Sequence, residues 1–121
     1  MANLTGISLG RQCAAEAGGT FLLVFTGTGA MLFNELSGGA ITHPGIATTF
    51  GLAVMLAVFT LGPISGAHIN PAVTFGFWAS SRLEGKRLLP YIASQCGGAI
   101  LASGLLLGLF GNQTAMGATL P

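Results

Sequence analysis

Ten consecutive residues, Ser65-Gly66-Ala67-His68-Ile69-Asn70-Pro71-Ala72-Val73-Thr74, hold the groups whose types and spacing could do chemistry. Asn70 before Pro71 reads as a helix start. An asparagine side chain caps free backbone N–H groups, and proline fits the first helical position, where its missing N–H would be unpaired anyway. The positive end of that helix, together with the Asn70 amide, would donate to a water oxygen and repel cations. Gly66 and Ala67 are small enough for an extended backbone that turns its carbonyls to a lumen and offers acceptors in a row. Taken alone, the Asn-Pro pair is also an ordinary helix start. His68 taken alone is a packed histidine, and even in the functional reading its carbonyl matters more than its ring. No metal partner is visible, since the other histidine, His43, is expected on the far side of the membrane. The expectation is no enzyme, no metal and no cofactor.

Two residues outside this stretch need a decision. Glu16 is an acid inside an apolar run, and such residues default to functional sites, for instance proton relays. The alternative is scaffold, because free N–H groups in a nearby loop need an acceptor. Phe50 on its own is a core or lipid-facing aromatic. Cys13 and Cys96 lack metal or redox spacing and read as buried small hydrophobes. Gly27-Thr28-Gly29 is not a nucleotide loop, since no strand precedes it. Gly104 and Gly108 have the spacing of internal helix packing. Asn3-Leu4-Thr5 and Asn112-Gln113-Thr114 are formal glycosylation sequons, the first expected inside and silent, the second outside.

The elements that must position these residues follow from charge. Only 6% of the 121 residues are charged, against about a quarter in soluble domains, and mean hydropathy is +0.76. None of the charges lies between Glu35 and Arg82, and none follows Arg87. Those stretches can cross a hydrocarbon layer about 30 Å thick, which takes ~20 apolar residues in helix. Spans are predicted at about 12–33, 44–62 and 88–110, with loops at 34–43 and 82–87. Pro63, Gly66 and Asn70-Pro71 should break the segment 63–70, and a helix over 71–80 reaches only ~15 Å. The piece 63–81 therefore dips into the bilayer and returns. With two full crossings between Arg11 and Arg82, all four basic residues share one side, the cytoplasm, with the N-terminus. The fold class is all-α membrane, three transmembrane helices plus one re-entrant half-helix. Non-helical backbone at that depth is tolerated where it lines a watery cavity. A net charge of +1 implies no nucleic-acid partner, and no cleavable signal peptide is expected.

The stretch from Ser65 to Thr74 resembles the first signature loop of the aquaporin, or major intrinsic protein, family, with Asn70-Pro71-Ala72 as its Asn-Pro-Ala motif. Ala15-Glu16-Ala17-Gly18-Gly19-Thr20-Phe21 resembles the start of that family's first helix, and Phe50-Gly51-Leu52-Ala53-Val54 its second. Tyr91-Ile92-Ala93-Ser94-Gln95 with Gly97 and Gly98 resembles its third. The resemblance implies half of an inverted-repeat channel, residues 1–121 forming the N-terminal half. Asn70 would be one of two asparagines meeting at the pore centre. The carbonyls of Gly66, Ala67 and His68 would form part of a water ladder. Phe50 would supply the aromatic of the outer constriction, and Glu16 would steady the loop.

The solute implied is water, or glycerol or another small neutral molecule, with protons and ions excluded. Complete channels would be homotetramers in the plasma (inner) membrane. The second Asn-Pro-Ala loop is absent here, so the chain is expected to be truncated or completed by a separately made half. Gly117-Ala118-Thr119-Leu120-Pro121 resembles the start of the family's long middle loop. The rival reading is a small proton-coupled multidrug exporter using Glu16 as its proton and cation site. The half-length segment and the one-sided basic residues argue against it.

Overall fold

The computed structural model describes residues 4–118. Asn3 of the first sequon and Thr119, Leu120 and Pro121 of the tail lie outside the described residues. Among those described there are four helices: α1 (Leu9–Leu36), α2 (Thr42–Ser65), α3 (Pro71–Ala79) and α4 (Gly85–Phe110). The three long ones are apolar enough to cross a membrane. The 9 residues of α3 extend only about 14 Å, half a bilayer. The architecture is the expected one, three spans and a half-helix.

The helix ends differ from expectation in instructive ways. α2 runs through Pro63 to Ser65, past the predicted stop at Gly62. Proline removes one N–H near the last turn, and one lost bond does not end a helix. Gly66 ends it instead, with φ 92° and its N–H on the Gly62 carbonyl at 2.9 Å, a left-handed cap suited to glycine. α4 begins at Gly85 rather than Leu88, and Pro90 sits inside it. At the other end of α2, Pro44 lies in the first turn, where no N–H is needed. Asn34 Oδ1 accepts the Thr42 N–H at 2.8 Å, so α1 caps the helix that follows it.

α1 is the central helix. It packs against α2 and α4, and α3 packs against α4. Glycines make these approaches close. A side chain at Gly98 would strike the Ala17 carbonyl, one at Gly27 would strike the Phe50 ring, and one at Gly19 would meet Ile69 and Leu61. Gly104 and Gly108, expected to pack internally, face open space; the close α1–α4 contact is Gly98 on Ala17, one turn and a half earlier. Cys13 is half-buried and Cys96 is exposed, which corrects their reading as buried hydrophobes. Cys96 lies on the face of α4 that turns away from α1.

Hydroxyls within the spans are satisfied locally. Thr20, Thr26, Thr60 and Ser94 each donate to the carbonyl four residues back, at 2.7–2.8 Å. That disposes of donors that lipid could not hydrate. The two ends of the bundle differ in charge. Leu4 and Thr5 line one cavity together with Arg82 and Arg87, so the N-terminal segment and the basic loop share an end. Glu35 lies at the other, accepting the Ala115 N–H at 3.3 Å.

Candidate functional site: the loop between α2 and α3

Residues 66–70 join the end of α2 to the start of α3 inside the bundle. The backbone is not extended as expected. Gly66, Ala67 and Ile69 have φ of 92°, 48° and 45°, and positive φ costs roughly 1–2 kcal/mol at each residue that carries a Cβ. The coil turns all four N–H groups of 66–69 onto acceptors. Gly66 donates to Gly62, Ala67 to Ser65 Oγ at 3.1 Å, His68 to Glu16 Oε1 at 3.0 Å and Ile69 to Glu16 Oε2 at 2.7 Å. The carbonyls of the same four residues meet no donor among the described residues.

Glu16 holds this arrangement from α1. It is 0% exposed. Besides the two loop N–H groups it accepts Ser65 Oγ at 2.6 Å and Gln95 Nε2 at 2.8 Å. Four donors on two oxygens satisfy an ionised carboxylate without water. No oxygen is left exposed to take up a drug cation in exchange for a proton.

Around Glu16 lies a buried polar hub that sequence reasoning did not assign. Gln95, also 0% exposed, donates to both Glu16 and Thr74 Oγ1, the latter at 2.8 Å, and so ties α1, α3 and α4 together. Its Oε1 has no partner among the described residues. Tyr91 Oη donates to the Ser65 carbonyl at 2.7 Å and lies 3.2 Å from Gln12 Oε1, capping the end of α2 from α4. A signal was available: Gln12 and Gln95 are amides within apolar spans, and such residues mark sites or scaffolds. Their partners are too distant in sequence for spacing to name.

The remaining site residues fall into two groups. Asn70 caps α3: Oδ1 accepts the Ala72 N–H at 2.8 Å, Pro71 opens the helix, and the exposed amide keeps its N–H donors without a partner among the described residues. His68 Nδ1 lies 3.1 Å from Thr74 Oγ1, and its ring stacks on Phe77 at 4.6 Å. Gly66 and His68 line a cavity of about 940 Å³ together with Arg82 and Arg87. Phe50 stands apart. It is half-buried against Gly27, roughly 22 Å along α2 from Ser65 at 1.5 Å per residue, and does not line that cavity.

The sequence likeness matches this architecture. Residues 3–120 fit the family model described as Major intrinsic protein. The chain is 45% identical over 88% of its length to Aquaporin NIP1-3 of Oryza sativa subsp. japonica, covering 37% of that protein. It is 42% identical over 90% of its length to Aquaporin Z of Photorhabdus laumondii, covering 48%, and 40% identical over 98% to Nodulin-26 of Glycine max, covering 44%. The chain thus spans less than half the length of each of these relatives. The match does not favour the exporter reading. Three crossing helices, a half-length helix opened by Asn70-Pro71-Ala72 and a family model fitted along nearly the whole chain place this integral membrane protein in the major intrinsic protein family.

Proposed function

We propose that the protein is a passive channel for water or another small neutral solute such as glycerol, that residues 65–79 build one half of its pore, and that an inverted second half completes it. One observation carries the reading: in residues 66–69 every N–H turns to a protein acceptor and every carbonyl is left without a donor among the described residues. Bare carbonyls at membrane depth are stable only against water or a hydroxylated solute. The Gly66, Ala67 and His68 carbonyls accept from the permeating molecule, and the Asn70 amide donates to it. Water is thereby oriented in opposite senses on either side of Asn70, which with the positive end of α3 opposes proton and cation passage.

Phe50 forms the aromatic side of an outer constriction, and Glu16 is scaffold rather than proton carrier. The basic end and the N-terminus face the cytoplasm, in keeping with four basic residues on one side, and the membrane is the plasma (inner) membrane. Complete channels assemble as tetramers. The likeness to proteins named aquaporins supports such a solute.

Stopped-flow light scattering on proteoliposomes tests this. The chain alone is expected to give no water flux above that of the lipid, and flux is expected once an inverted second half is co-expressed. Fast, selective flux from the chain alone would overturn the two-half reading. In the completed channel, Asn70→Asp is expected to raise cation leak by placing a carboxylate at the pore centre. Unchanged leak across a pH series would count against Asn70's place there.

A further inference from the structure

The buried hub around Glu16 ends on a side chain that faces the cavity. The His68 ring stacks on Phe77 at 4.6 Å and meets the Tyr91 ring at a steep angle, centroids 5.3 Å apart. One ring nitrogen, Nδ1, lies 3.1 Å from Thr74 Oγ1. The other, Nε2, meets no partner among the described residues, yet it is not closed off: the one unpartnered side-chain atom sealed within the fold among them is Gln95 Oε1. Nε2 lies toward Gly66, where an added Cβ would stand 3.3 Å from it, and both residues line the cavity. Whether Nε2 offers the cavity a proton or a lone pair depends on which nitrogen carries the hydrogen.

The surrounding hydrogen bonds decide that choice. Glu16 accepts from Ser65 Oγ, from the His68 and Ile69 N–H groups and from Gln95 Nε2, so its oxygens act only as acceptors. Gln95 then presents its NH2 group to Glu16; turned over, its Oε1 would face a carboxylate oxygen at 2.8 Å. The second N–H of that amide goes to Thr74 Oγ1 at 2.8 Å, so Thr74 cannot donate to Gln95. A threonine hydroxyl has one hydrogen and two lone pairs. The hydrogen goes to the Asn70 carbonyl at 3.1 Å, one lone pair takes Gln95, and the other is left for His68. Were Thr74 to donate to Nδ1 instead, Oγ1 and the Asn70 carbonyl would face each other at 3.1 Å as two bare acceptors. Nδ1 is therefore the donor.

We propose that Glu16, through Gln95 and Thr74, holds His68 as its Nδ1–H tautomer, so that Nε2 is a standing acceptor for an O–H group of the permeating water or neutral solute. The occupant rests on the channel reading; the tautomer does not. Nε2 adds a side-chain acceptor to the carbonyls of the loop, so the ring counts as well as the backbone. Glu16, Gln95 and Thr74 are positioning residues: they reach the cavity only through the ring they orient.

Nitrogen NMR of the chain in lipid bilayers, with isotope-labelled histidine rings, tests this. His43 is exposed, and His43→Gln leaves His68 as the single ring. At about pH 9, where an ordinary histidine is neutral, the Nδ1–H form is expected to exceed the Nε2–H form roughly tenfold, the worth of one hydrogen bond. Thr74→Val removes the acceptor and should let the Nε2–H form predominate, whereas Thr74→Ser keeps the hydroxyl and should restore the wild-type ratio. Magnetisation from water should reach Nε2. A predominant Nε2–H form in the wild-type ring overturns the proposal, and so does an unchanged ratio in Thr74→Val. Absence of transfer from water to Nε2 overturns its place as an acceptor in the path. Should the tautomer and the water contact be found while the completed channel passes no solute, the channel reading fails and the acceptor stands.

Discussion

Two short connections flank α3, and they solve the same problem in opposite ways. The connection at 80–84 is exposed apart from Leu83, and three of its N–H groups bond to carbonyls a few residues away: Ser80 to Gly76, Ser81 to Trp78 and Arg82 to Phe77, at 2.8–3.0 Å. In the connection at 66–70, Ala67, His68 and Ile69 are buried, and side chains outside it hold them. Glu16 reaches it across sequence separations of 52 and 53 residues. A turn in water can be built from its own sequence. The inner turn takes its acceptors from Glu16 on α1 and from Gly62 and Ser65 on α2, while α4 adds the donors Tyr91 and Gln95 to the Ser65 carbonyl and to Glu16.

Substitutions can break this contrast. The largest effect belongs to Glu16→Ala. It removes the acceptor of Ser65 Oγ, of two loop N–H groups and of one of the two bonds that Gln95 Nε2 donates, at about 1–3 kcal/mol for each group left unpaired. Folded yield in detergent should collapse. Retention of a wild-type melting temperature would mean that the loop is held by something else. Tyr91→Phe comes next. It removes the donor on the Ser65 carbonyl and should cost about 1–2 kcal/mol, read as a lower melting temperature with the fold kept.

Glu84→Gln should have the smallest effect, because the pair with Lys86 is exposed to solvent. The hydrogen bond from Lys86, followed by the Lys86 and Arg87 charges, holds the Glu84 carboxyl below its ordinary value of 4.5. The sign is that of any depressed acid: its small stabilisation is complete above the ordinary value and fades as pH falls through the lower folded value. A melting series on wild type and Glu84→Gln should converge under strongly acid conditions and differ slightly at neutral pH. A large gap at neutral pH would erase the distinction between the two turns.

Much of this was legible in the residues, for identifiable reasons. The Asn70-Pro71 start of α3 depends on local backbone chemistry, and it lies where expected. Two long charge-free runs and one apolar run interrupted only by Glu16 located the three spans, because a span needs about 20 predominantly apolar residues in helix. What the sequence hid was three-dimensional. Pro63 looked like a helix end, yet a proline near the last turn costs too little to stop one. Gly104 and Gly108 had packing spacing but point at open space, while Gly98 meets Ala17; spacing marks a face without saying what covers it. Ser65, Thr74, Tyr91 and Gln95 act through contacts that only the folded bundle creates.

The long reach of the loop's hydrogen bonds bears on how the protein is made. As the chain emerges residue by residue, Glu16 enters the membrane first and the loop joins it some fifty positions later. Tyr91 and Gln95 come last, at a separation of 79 residues from the α1 side chains they meet. Until they arrive the end of α2 lacks its clasp, so α4 is the bolt that finishes the assembly, and a ribosome stalled before residue 91 would hold an unlatched intermediate.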